Sequence, residues 1–161
     1  MPRFIASLAS LAAAALLALG NACAGTADAR PIRYGEEPCD YCRMTISDPR
    51  FGAEAVTSTG KHQLFDSIEC LAGFVVTQDS ARVRGTWVTD WNRPGTLIPV
   101  AAAEFRRLRG AAGSPMGRGF VATARGSVPN GIAEPGPALA WADVVADVRA
   151  ERDSAGPVHA R

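Results

Sequence analysis

Residues 51–76, FGAEAVTSTGKHQLFDSIECLAGFVV, contain the clearest secondary-structure signals of the chain. From residue 51 to residue 57 the pattern approaches the alternation of a strand, and Thr59-Gly60 indicates a turn. Residues 61–65 then predict a returning strand. This part of the chain is therefore predicted to form a β-hairpin.

A helix is predicted directly after the hairpin. Asp66 is the expected N-cap, with Glu69 three residues later in a capping-box arrangement. Residues 83–91 are typical of a further strand, which the breaker sequence at 92–95 ends. Residues 38–93 are therefore predicted to form a first ββαβ unit. The helix presents one apolar face, formed by Ile68, Leu71, Ala72 and Val75.

The second half repeats this order loosely, so residues 94–149 are predicted to form a second ββαβ-like unit. Strands are expected at 97–105 and 120–123. A helix should follow, because residues 138, 141, 144, 145 and 148 keep helical spacing. Two units of about 55 residues would be marginal alone. The predicted class is therefore α+β, with two small ββαβ units packed into one compact body and a flexible tail at 150–161.

The N-terminal segment predicts export. Residues 1–22 combine a basic residue, an apolar run and small residues, as a signal peptide does, and residues 23–37 are expected to form a tether. Cys23 stands where a lipoprotein would be acylated, although Ala22-Cys23-Ala24 also fits ordinary cleavage to a soluble product. The expected location is the periplasm, with a lipid anchor holding the protein to a membrane.

The charge of the chain excludes one class of partner. Its 161 residues contain 17 Lys and Arg against 16 Asp and Glu, a formal net charge of +1. Such a balanced chain has no basic field for nucleic acid. Nucleic acid is therefore not an expected partner.

The densest chemistry lies at Cys39-Asp40-Tyr41-Cys42-Arg43-Met44. Two thiols and a thioether are soft donors, which favour Cu(I) over hard ions. A disulfide between Cys39 and Cys42 is the alternative in an oxidising compartment. A structural zinc site would need four nitrogen or sulfur ligands, and this stretch supplies only one Cys-x-x-Cys pair.

Three further side chains are candidate metal ligands. Cys70 is one, and a buried inert thiol is its alternative role. His62 is another, although a solvent-facing imidazole is the ordinary interpretation of a strand histidine. Met116, in Ser114-Pro115-Met116-Gly117, is a soft donor if solvent reaches it, and a core-filling side chain if not.

Four motifs carry a resemblance to a known family. The sequence resembles the NosL family of exported copper chaperones at Cys39 to Ile46, Phe51-Gly52-Ala53-Glu54, Phe65 to Leu71 and Ser114-Pro115-Met116-Gly117. This resemblance implies an α+β fold of two similar units and the binding of one Cu(I). It also implies a nitrous oxide reductase, or another copper acceptor, as the client, and a membrane ABC-type complex as the relay partner.

The resemblance further implies roles for individual residues. Met44 and Met116 would be thioether donors, Cys42 and Cys39 thiol donors, and Cys70 and His62 nearby possibilities. No Ser-His-Asp arrangement, nucleophile elbow or phosphate loop stands in the sequence, so a non-enzymatic role is expected. Two alternatives remain open: a thiol-disulfide protein that uses Cys39 and Cys42, and a non-catalytic structural module.

Overall fold

A computed structural model describes residues 28–78, 82–109 and 114–154. The predicted signal peptide at 1–22 and the acylation candidate Cys23 lie outside these residues. Within them, neither helix combines the length and the apolar character needed to cross a bilayer.

One four-stranded antiparallel sheet forms the centre of the fold, with the strand order β2-β1-β3-β4. Strands β1 and β2 are the predicted hairpin, in which Ala53 lies opposite Phe65. On the other edge of β1, Ala53 pairs with Val88 of β3. The strands are β1, Ala53–Thr57; β2, His62–Phe65; β3, Val83–Thr89; and β4, Leu97–Pro99.

Helix α1, Ile68–Thr77, follows β2 as predicted, but its cap differs. Ser67, not Asp66, is the N-cap, and its Oγ accepts the backbone N–H of Cys70 at 3.2 Å. The prediction of Asp66 was wrong because two adjacent polar residues can both cap a helix and only backbone geometry distinguishes them. The strand-strand-helix-strand order of the first unit is present.

The second half contains a two-stranded sheet and a helix. Strand β5, Ala103–Arg107, pairs with β6, Phe120–Ala124, and helix α2 spans Trp141–Ser154. The single strand predicted at 97–105 was wrong, because a 3-10 turn at Val100–Ala102 interrupts it. As a result, β4 completes the first sheet and β5 begins the second.

Helix α2 also extends further than predicted. It continues through residues 150–154, which the sequence assigned to the flexible tail. Val144 and Val148 bury its inner face against the core. Among the described residues no strand follows α2, so the second half has the order strand, strand, helix.

A continuous apolar core joins the two halves and confirms the compact α+β class. Helices α1 and α2 pack together, and α1 also contacts β6. Phe65 packs on Phe74 at 5.1 Å between ring centroids, and Phe105 packs on Trp141 at 5.5 Å. The halves therefore share one core.

The segment before Cys39 is already part of this fold. Ile32 is buried, and the backbone N–H of Arg30 donates to Glu54 Oε2 at 3.0 Å. The guanidinium of Arg30 pairs with Glu37 at 2.7 Å. Residues 30–37, which were predicted to belong to a tether, are thus packed and hydrogen-bonded as part of the fold.

Candidate metal centre

The loop of residues 39–44 is held in a tight hairpin-like turn. The N–H of Cys39 donates to the carbonyl of Met44 at 2.8 Å, and the N–H of Arg43 donates back to the carbonyl of Cys39 at 3.1 Å. Asp40 fixes the loop to β2, since its N–H donates to Leu64 O at 2.8 Å and its Oδ2 accepts Leu64 N–H at 2.9 Å. These bonds define where both cysteine side chains lie.

Arg43 adopts the backbone conformation that this turn requires. Its φ of 68° lies in the left-handed region, and no other non-glycine residue of the described ranges has a positive φ. That conformation costs a non-glycine residue about 1 kcal/mol. The bonds around it hold the loop in this strained form.

Helix α1 supplies the third thiol. Cys70 is the third residue of the helix, and the Ser67 cap binds its backbone N–H. The ring of Tyr41 lies over the same helix at Gly73, so closely that a Cβ at Gly73 would lie 2.5 Å from Tyr41 Cζ. Gly73 thus lets the cysteine loop approach α1.

Three cysteine sulfur atoms meet where this loop touches the helix. The Sγ atoms of Cys39, Cys42 and Cys70 all lie within 4.8 Å of one another. All three are free thiols; Cys39 and Cys70 are completely buried, and Cys42 is half-buried. The loop and the helix therefore form a compact soft-donor cluster with one solvent-accessible edge.

Hydrogen bonds concentrate negative charge on one sulfur. The Cys70 thiol donates to Cys39 and, with backbone N–H groups including that of Cys42 at 3.4 Å, lowers the pKa of Cys39 to about 5. The same bond and burial raise the pKa of Cys70. Desolvation by burial raises the pKa of Cys42. Cys39 is thus the cysteine of the cluster whose thiolate form the surroundings favour most.

Asp66 lies close to Cys39, and Glu69 lies in the first turn of α1; the sequence did not identify either of them as a site residue. Burial, followed by the charge of Cys39, raises the pKa of Asp66 to about 6. Among the described residues, Asp66 Oδ1 and Glu69 Oε2 are buried without a hydrogen-bond partner. Their signal was the motif Phe65 to Leu71, in which both acidic residues precede Cys70.

Both candidate methionines are exposed. Met44 is 45% and Met116 39% exposed, which is unusual for side chains that fill a core. The loop with Met116 crosses the first turn of α1, because Ser114 Oγ donates to Glu69 Oε1 at 3.4 Å. Both methionine side chains are therefore accessible to solvent, and the loop with Met116 contacts the first turn of α1 through Ser114.

The structure does not bring His62 into the cluster. Its Nδ1 contacts Glu54 Oε1 across the β1–β2 hairpin, and the carboxylate of Glu54 is fully buried. In the described part of the chain, the cluster of His, Cys, Asp and Glu side chains that could hold a metal ion consists of the three cysteines and does not include His62. The histidine is thus explained by its carboxylate partner.

The arrangement is typical of a site for a soft cation. Three thiols are one ligand short of a closed tetrahedral zinc site, and they form part of a soft set when a thioether joins them. A hard cation would instead prefer oxygen ligands. The fold and the cluster define a small α+β protein with a candidate soft-metal site between a loop and a helix.

One solved structure has the same fold. The copper chaperone NosL from Shewanella denitrificans superposes with a TM-score of 0.52 at 22% sequence identity, over 60% of this chain and 78% of that chain. This likeness confirms the resemblance seen in the sequence motifs at the level of the fold. No family model and no curated protein matches the chain.

Proposed function

We propose that the protein is a carrier that binds Cu(I) and delivers it to a copper-requiring enzyme. The observation that carries this proposal is the meeting of three free thiols within 4.8 Å. Thiolates are the ligands that Cu(I) prefers, and the fold is shared with a copper chaperone. A disulfide would use only two of these thiols and would leave the third without a role.

The depths of the donors suit transfer. Cys39 and Cys70 hold the ion from the buried side, while Cys42 and the exposed Met44 lie towards solvent. An acceptor can therefore displace the outer donors first and the buried thiolates last. Cu(I) accepts low coordination numbers, so each step leaves the ion bound.

The client and location extend this proposal. The resemblance of the motifs to the NosL family favours export to the periplasm, with Cys23 as a lipid anchor. It also favours nitrous oxide reductase or another cuproenzyme as the acceptor, and a membrane ABC-type complex as a relay partner. Globomycin treatment of labelled cells tests the anchor, since it blocks maturation of a lipoprotein and leaves ordinary cleavage unaffected.

A thiol-disulfide function is the second candidate, because the pKa of Cys39 is lowered to about 5. Burial opposes it. The reactive thiolate of Cys39 is completely buried, whereas the accessible Cys42 has a raised pKa. An incoming disulfide would therefore meet the less reactive sulfur.

A Cu(I) competition titration of the reduced protein tests the main proposal. The protein without residues 1–23 is titrated anaerobically against a chromophoric chelator, and one tightly bound copper per chain is expected. Cys42→Ser should lower the affinity by at least tenfold. Val128→Ala, at an exposed apolar position elsewhere, is the control and should change nothing. A disulfide that reforms in the reduced protein, with no copper bound, would support the redox function instead.

A further inference from the structure

Arg43 places an unused cation beside the thiol cluster. It lies between Cys42 and Met44, in the one described non-glycine position with a positive φ. A glycine would adopt this backbone without strain. Strained residues persist where the surrounding structure holds them, and they concentrate at functional sites.

Within residues 28–78, 82–109 and 114–154, the guanidinium of Arg43 makes no hydrogen bond, ion pair or ring contact. The acidic side chains nearest in sequence are engaged elsewhere: Asp40 accepts the N–H of Leu64, and Asp48 pairs with Arg50 at 2.6 Å. The cation is therefore available to another molecule.

Arg43 is exposed, so its charge is accessible from the solvent side of the loop.

Two exposed apolar side chains flank this cation. Tyr41 is 38% exposed and Met44 is 45% exposed. Tyrosine, methionine and arginine are the residue types enriched at the centres of protein interfaces. Tyr41, Arg43 and Met44, which lie beside Cys42 in the same loop, are together named the loop surface here.

We propose that the loop surface docks the copper acceptor through a carboxylate-bearing patch beside the acceptor's own soft donors. This proposal rests on the proposed function. Arginine binds carboxylates through paired, charge-assisted hydrogen bonds, which fix orientation as well as contact. An acceptor held at Arg43 has its donors next to Met44, the outer thioether of the site.

Binding of two designed peptides tests the docking without copper. Each labelled peptide contains two methionines, flanked either by four aspartates or by four lysines. Fluorescence anisotropy with the metal-free, reduced protein at low salt should show binding of the aspartate peptide at least tenfold tighter than that of the lysine peptide. Higher salt should reduce this preference.

The variant Arg43→Gly removes the cation and relaxes the backbone, so it should fold at least as well as the wild type. We expect its affinity for the aspartate peptide to fall about three- to tenfold, while its Cu(I) affinity stays unchanged. Arg149→Gln is the matched control, because it removes one exposed positive charge from α2.

Three results would overturn the docking role. The first is no binding of the aspartate peptide at low salt. The second is an equal loss of affinity for that peptide in Arg43→Gly and Arg149→Gln. The third is a tenfold loss of Cu(I) affinity in Arg43→Gly. The last would assign Arg43 to the metal site. Failure of the wild type to bind copper, with peptide binding and its Arg43 dependence intact, would reject the carrier function and leave the docking surface standing.

Discussion

Removal of the Ser67 hydroxyl should weaken both the fold and the metal site. Ser67 is fully buried, and its Oγ accepts the N–H of Cys70 at 3.2 Å. Loss of an N-cap costs about 0.5–2 kcal/mol, and no water can replace the bond at this depth. Ser67→Ala should therefore lower the free energy of unfolding by about 1–2 kcal/mol.

The same hydroxyl also faces the metal-binding thiol. Ser67 hydrogen-bonds to the side chain of Cys70 and favours its thiolate. Loss of that bond should weaken Cu(I) binding by about tenfold, as the removal of a group that supports a ligand does. The two losses arise from one atom, and two separate assays resolve them.

Urea denaturation of the metal-free, reduced protein measures the first loss, and a Cu(I) competition titration measures the second. Ser47→Ala, at an exposed serine of the neighbouring segment, is the control and should leave both quantities unchanged. Ser67→Thr keeps the hydroxyl and should retain most of the copper affinity. A Ser67→Ala protein as stable as the control would refute the assignment of Ser67 as the cap.

Three further changes test the packing around the site. Gly73→Ala places a Cβ 2.5 Å from Tyr41 Cζ, so the Tyr41 ring must move. Cu(I) affinity should fall several-fold, although alanine favours the helix by up to about 1 kcal/mol. Unchanged affinity would show that the loop does not depend on this contact. Glu37 is held by Arg30, which lowers its pKa to about 2 from 4.5, so its stabilisation is complete above pH 4.5 and is lost as the pH falls towards 2. In Glu37→Gln, the free energy of unfolding should therefore fall less on acidification than in the wild type, by at most about 3 kcal/mol. Urea denaturation between pH 2.5 and 6 measures this difference, and an equal fall in both proteins would contradict the assignment. Phe65→Ala opens the fully buried contact with Phe74 and should cost about 3–5 kcal/mol in the same assay, whereas a loss below 1 kcal/mol would be inconsistent with this core.

Local signals explain what the sequence could predict. The hairpin at 51–65 and helix α1 follow from alternation, a turn and an apolar helical face, all of which act between near neighbours. The break between β4 and β5 was missed, because the apolar run at 97–105 reads as one strand. Its two parts pair with different partners, which is a tertiary effect.

The residues of the candidate site likewise divide into those that a local motif predicts and those that depend on tertiary contacts. The Cys-x-x-Cys-x-Met motif pointed to soft ligands, but whether Cys70 joined them depended on how the helix meets the loop. Glu54 accounts for His62 through a cross-strand contact that no pattern of spacing reveals. Asp66 was interpreted as a helix cap, because a local motif does not show that its carboxyl group is buried.

The three thiols come from two segments that the whole β1–β2 hairpin separates in the chain. An ion bound by all three therefore cross-links the cysteine loop to helix α1, as a staple does. Binding to the folded chain alone stabilises it in proportion to the logarithm of the ligand concentration over Kd. The protein with the ion bound should melt higher and resist proteolysis at the loop, and loss of the ion should reverse both effects.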